Sequence, residues 1–212
     1  MNNKDIFRKT VELQKFLHEC ENVVTEMQEK LDSSSEDLGF SKSSCEEHQL
    51  QHEEFVQKLQ ITERRVVDIR KMSKKLQKKF SNNKIITDKL SVVNETFSNL
   101  QIWENSRKNN LENMMKLFDL HKKVKDQITN LDELLIEVES HDNVLETYDK
   151  ESMETMMSNQ YKMKEAIDSR EIEVGSIHNF GIDLKSCLMF ASEEIDKILE
   201  LMNLKFLVLS GR

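Results

Sequence analysis

What most constrains this chain is the absence of anything to interrupt it. Proline is missing altogether, and between Phe40 and Val174 there is no glycine either. A β-sandwich or an α/β enzyme needs frequent turn residues and β-branched runs, so an unbroken span of this kind belongs to long helices. The rest of the composition agrees, with 33% charged and only 6% aromatic residues. Glycine loops that cradle phosphate are excluded. The 37% apolar content suits thin helical bundles and is lean for a broad globular core.

Helices packed in a left-handed bundle bury positions at alternating steps of three and four. The first segment carries such a seam at Ile6, Thr10, Leu13, Leu17, Cys20, Val24, Met27 and Leu31, and ends in SSSEDLGFSKSS. The second runs Cys45, His48, His52, Phe55, Leu59, Thr62, Val66, Ile69, Ser73, Leu76 and Phe80 in strict alternation, opened by a cap among Ser41, Ser43 and Ser44. A third carries Ile86, Leu90, Val93, Phe97, Leu100, Arg107, Leu111 and Met114. No breaker follows until after Ser140, and the seam shifts to Leu117, Leu120, Val124, Ile128, Leu131, Leu135 and Val138. One helix of roughly 80 Å is expected to serve two successive bundles.

The second half repeats the first. An offset of 104 residues places Leu13 on Leu117, Val24 on Ile128 and Leu31 on Leu135. An offset of 108 places Phe55 on Met163, Val66 on Val174 and Leu76 on Leu184, and one of 109 places Ile86, Val93 and Phe97 on Ile195, Met202 and Phe206. The expected architecture is all-α: two tandem three-helix bundles, residues 1–114 (helices about 4–32, 42–80 and 84–114) and 115–212 (helices about 115–140, 150–188 and 191–212), sharing a continuous connecting helix.

Three stretches give this pattern a family resemblance. LGFSKSSCEEHQLQHEEFVQKL resembles the start of helix B of a spectrin repeat, with His52 at the place of its frequent histidine. FSNLQIWENSRKNNLE resembles its helix C, through Phe97, Leu100, Arg107 and Leu111. FGIDLKSCLMFASEEIDKILELMNLKFLVL is similar to the B to C corner of a second repeat. The helix A and helix C tryptophans of the family are missing, which marks a divergent member, and the last helix is expected to be shorter than its counterpart by a turn or more. The resemblance implies a non-enzymatic scaffold or spacer that contacts other proteins, cytoskeletal or signalling, with self-association open. A regulatory or localising segment of a signalling protein, such as a Rho-family guanine nucleotide exchange factor, is the alternative.

Chemistry-bearing residues are few. In CEEHQLQHEEF, Cys45, His48 and His52 share a helix face at spacings open to a metal. Gln49 follows His48 where a zinc protease would need its glutamate, and the offset of 108 puts Met153, Met156 and Gln160 at the same places. The bundle explains the shared face without a metal. Adjacent acids such as Glu46 and Glu47 diverge by about 100° on a helix and cannot face one substrate. No catalytic, cofactor or metal residue is expected.

The most basic run, RKMSKKLQKK, reads as a solvated face near a helix C-terminus, where cations are favoured. As a partner surface it would comprise Arg70, Lys71, Lys74, Lys75 and Lys78, with Trp103, which lies off the seam, and Phe40 as exposed aromatic contacts. Met153, Met156, Met157 and Met163 read as core fillers. A net charge of −8 and the lack of stacking aromatics in the basic run disfavour nucleic acid. No run approaches the ~20 apolar residues of a membrane span, there is no signal-peptide core, and three cysteines form no paired framework. A cytoplasmic protein is expected, with cytoskeletal or nuclear-envelope association open.

Overall fold

The computed structural model describes residues 3–80, 83–142 and 150–211. They form α1 (Asn3–Asp32), α2 (Lys42–Lys79), α3 (Lys84–Asp142), α4 (Lys150–Cys187), a 3₁₀ turn (Met189–Ala191) and α5 (Ser192–Ser210), with no strand among the described residues. Two compact units divide at Leu111 and Glu112, inside α3, which runs unbroken through 59 residues. Arg212, the end of the last expected helix, lies outside the described residues.

In the first unit α1, α2 and the start of α3 enclose one core. Phe16, Cys20, Val23 and Met27 meet Leu59, Val66, Ile69 and Leu76 of α2 and Ile86, Val93, Phe97 and Leu100 of α3. The α2 seam follows its expected positions, with Cys45, His52, Leu59, Thr62, Val66, Ile69, Ser73 and Leu76 buried. The seam of α1 needs correction. Ile6 and Thr10 are exposed, while Phe16 and Val23 are fully buried. A helix between two neighbours presents a wider stripe than a two-helix seam, so residues beside Leu17 and Val24 also turn inward.

The α1 to α2 turn is built by local chemistry. Asp37 Oδ1 accepts from the Gly39 amide at 2.9 Å, and Gly39 takes a left-handed φ of 85°. A Cβ there would run into Ser44 and the backbone of Cys45. Ser41 then caps α2 reciprocally: its hydroxyl accepts from the Ser44 amide at 3.2 Å, and Ser44 Oγ accepts from the Ser41 amide at 3.4 Å.

In the second unit Leu117, Leu120, Val124, Leu131, Leu134 and Val138 of α3 are buried, as are Val174 and Leu184 of α4 and Ile195, Leu199, Met202 and Leu209 of α5. Gly181 lets α4 approach α5 closely, since a Cβ there would lie 2.7 Å from Leu199 Cδ1. The methionine expectation holds only in part. Met156 and Met163 are half-buried, but Met153 and Met157 are exposed on α4.

Candidate interaction site

The histidines and cysteine of CEEHQLQHEEF part company in three dimensions. Cys45 is fully buried with its Sγ 3.7 Å from the Leu111 carbonyl oxygen. His48 places Nε2 at 3.7 Å from Asp37 Oδ2 and Nδ1 at 3.3 Å from Gln51 Oε1. His52 turns to α3, with Nε2 at 3.5 Å from Glu104 Oε1 and neither ring nitrogen in a hydrogen bond among the described residues. The three groups therefore face three different partners.

Around His52 the first turns of α2 and the middle of α3 form an aromatic knot. Its ring stacks on Phe55 at 6.2 Å, and Trp103 meets Phe55 edge-on at 5.0 Å. The Arg107 guanidinium lies 5.8 Å from the Trp103 ring. Arg107 also donates from Nη1 to the Ser35 carbonyl and from Nη2 to the Asp37 carbonyl at 3.1 Å, strapping the α1 to α2 turn onto α3. Burial pulls the His52 pKa below its ordinary value, opposed by Glu104 and assisted by Arg107. Trp103 is thus half-buried in this knot rather than a free aromatic contact. Phe40, by contrast, is fully exposed on the strapped turn.

A polar ladder joins α1 to α2 on another side. Arg65 donates from Nε and Nη2 to Glu19 Oε1 at 3.0 and 2.9 Å and from Nη1 to Glu26 Oε2. Thr62 Oγ1 donates to Glu26 Oε1 at 3.1 Å and accepts from Lys30 Nζ at 3.1 Å. Lys30, which also donates to Glu26, is the main influence holding the Glu26 carboxyl below the usual range. The polar residue Thr62 on an otherwise apolar seam was the one sequence signal for this ladder. Cys20, buried between α1 and α3, has its thiol pushed up to about 11 by desolvation and stays protonated at neutral pH.

The basic residues lie on the face of α2 opposite the core. By the ~100° helical step, Arg70, Lys71, Lys74, Lys75 and Lys78 fall within an arc of about 140°, and all five are exposed. Arg70 Nε donates to Asn94 Oδ1 at 2.8 Å and Lys71 pairs with Asp68 at 2.9 Å. Lys74, Lys75 and Lys78 have no ion-pair partner among the described residues. Trp103 does not join this face, since it packs at the level of Phe55, roughly 20 Å along α2 from Arg70.

The order of helices, the capped start of α2 and the Arg107 strap describe a three-helix repeat unit. The sequence model of the spectrin repeat matches residues 11–113. This segment is a spectrin repeat. It is also similar to the spectrin beta chain of Drosophila melanogaster, with 29% identity over 195 residues. That similarity covers 91% of this chain and 8% of the relative, so the chain spans a small part of the length of the protein it matches. No helix among the described residues is long and apolar enough to cross a membrane.

Proposed function

We propose that this chain is a non-enzymatic interaction module of the cytoskeletal scaffold class, made of two tandem spectrin-type repeats that hold protein partners. The observation that carries this reading is a spectrin repeat whose outer α2 face presents Lys74, Lys75 and Lys78 exposed and without an ion-pair partner among the described residues. Cations free of intramolecular partners are available to an acidic protein surface, and they steer its approach more than they add raw affinity. The partner surface is therefore assigned to Arg70, Lys71, Lys74, Lys75 and Lys78, and Trp103, packed in the knot farther along α2, is left out of it. Lysines on an exposed helix face contribute little to stability, so their reversal separates binding from folding.

Proximity labelling in cells tests the proposal. The expected result is enrichment of cytoskeletal proteins over a helical-bundle control, with part of that set lost when Lys74, Lys75 and Lys78 are changed together to Glu. Labelling with no cytoskeletal enrichment would overturn the functional class, and labelling unchanged by the reversal would overturn the assigned surface.

A further inference from the structure

The last helix is apolar on two sides. Ile195, Leu199, Met202 and Leu209 face the core of the second unit, whereas Leu201, Leu204, Leu207 and Val208 are between 51% and 62% exposed on the far side. Leu201, Leu204 and Val208 follow the same three-then-four step as a buried seam, so they form one ridge. Exposed apolar groups scattered singly are ordinary; four on one ridge of a nineteen-residue helix are not.

The first unit supplies a control. At the offset of 109 residues, these four positions correspond to Val92, Glu95, Ser98 and Asn99 of α3. The same place in the same kind of bundle is mostly polar there, so the fold does not demand the apolar ridge. The surrounding charge says what could cover it. Residues 112–212 carry 21 acidic and 12 basic side chains, against 18 and 19 in residues 1–111. On α5 both lysines are already engaged, Lys197 with Glu193 at 2.8 Å and Lys205 with Asp132 at 2.6 Å. Glu200, exposed beside Leu201, has no ion-pair partner among the described residues.

We infer that the outer ridge of α5 docks a cationic amphipathic helix, whose apolar stripe covers Leu201, Leu204, Leu207 and Val208 while its lysines or arginines meet Glu200 and the acidic second unit. Helix-on-helix contact suits a ridge whose residues recur at helical steps. A second copy of the same ridge is disfavoured, because it would bring together two units with an excess of nine acidic residues each. An anionic membrane is disfavoured for the same reason.

The probe is a synthetic helical peptide of about 18 residues, with leucine on one face and lysine on the other, titrated against the full chain by fluorescence anisotropy. Micromolar binding is expected, weakened roughly tenfold or more by Leu201→Gln with Leu204→Gln and several-fold by Glu200→Lys. A leucine and glutamate peptide of the same pattern should not bind. All three substitutions are at exposed positions, and unchanged circular dichroism melting certifies the fold. Equal affinity of the double variant, or equal binding of the acidic peptide, overturns the proposal. So does sedimentation showing a dimer that the double variant abolishes, which would make a second copy the occupant, or ridge-dependent binding to phosphatidylcholine vesicles, which would make it a lipid surface.

Discussion

The start of α2 and the corresponding start of α4 follow the same sequence register and end in different structures. In the first unit Cys45 is 0% exposed, His52 is buried, and Trp103, Arg107 and Leu111 of α3 close over them. In the second, Met153 is 53% exposed and Gln160 lies in solvent, with Met156 and Met163 half-covered. Spacing of three and four residues decides which side chains can face inward. Whether they are buried depends on what the third helix places opposite. The start of α2 is latched by an arginine strap and an aromatic knot, and the start of α4 offers soft, exposed methionines.

The largest expected effect tests that asymmetry directly. Leu111→Ala, which empties a fully buried position against Cys45, should cost about 2–5 kcal/mol in urea unfolding, while Met153→Ala, at the counterpart of Cys45 in the second unit, should cost about 1 kcal/mol or less. Equal losses would mean that the starts of α2 and α4 are packed alike.

Arg107→Met comes next. It keeps the stem but leaves the Ser35 and Asp37 carbonyls without their donor, for an expected loss of about 2–3 kcal/mol. Hydrogen exchange should rise first in the Ser33–Phe40 turn; exchange unchanged there would show that the strap is idle. A smaller cost, about 1–2 kcal/mol, is expected for Gly39→Ala, which forces a Cβ into the left-handed region beside Ser44. A neutral result would show that the turn relaxes freely.

The smallest effect is the dependence on pH. His52 has its folded pKa lowered from 6.5, so the folded protein binds its proton less readily than the unfolded chain. The stability from a neutral His52 is fully present above about pH 6.5 and is lost as the pH falls from there towards the folded pKa. The melting temperature of the wild type should therefore fall more between pH 7.5 and 5.5 than that of His52→Gln. Parallel curves would show that Glu104, at 3.5 Å, compensates the burial.

Much of the bundle was legible in the residues. The α2 seam, including the polar Thr62 and Ser73, falls on buried positions, because a helix without glycine or proline has one periodicity and its stripe must face a neighbour. The edges were not legible. Ile6 and Thr10 fit the seam yet lie exposed, and Phe16 and Val23 fall outside it yet are completely buried, because a two-neighbour helix has two inward stripes. The basic face was visible as a run, but the separation of Trp103 from it was not, since linear order does not say which turn of α2 a residue on α3 will meet.

By itself, then, the sequence determined an all-helical chain, the positions of its turns and the periodic faces along each helix, since these follow from backbone preference and the 3.6-residue repeat. The tertiary structure decided the partners: that Arg107 reaches the carbonyls of the first turn, that Arg65 spans Glu19 and Glu26, and that α5 keeps a leucine ridge uncovered. Those outcomes depend on which helix stands opposite, and at what level. Periodicity carries no information about either.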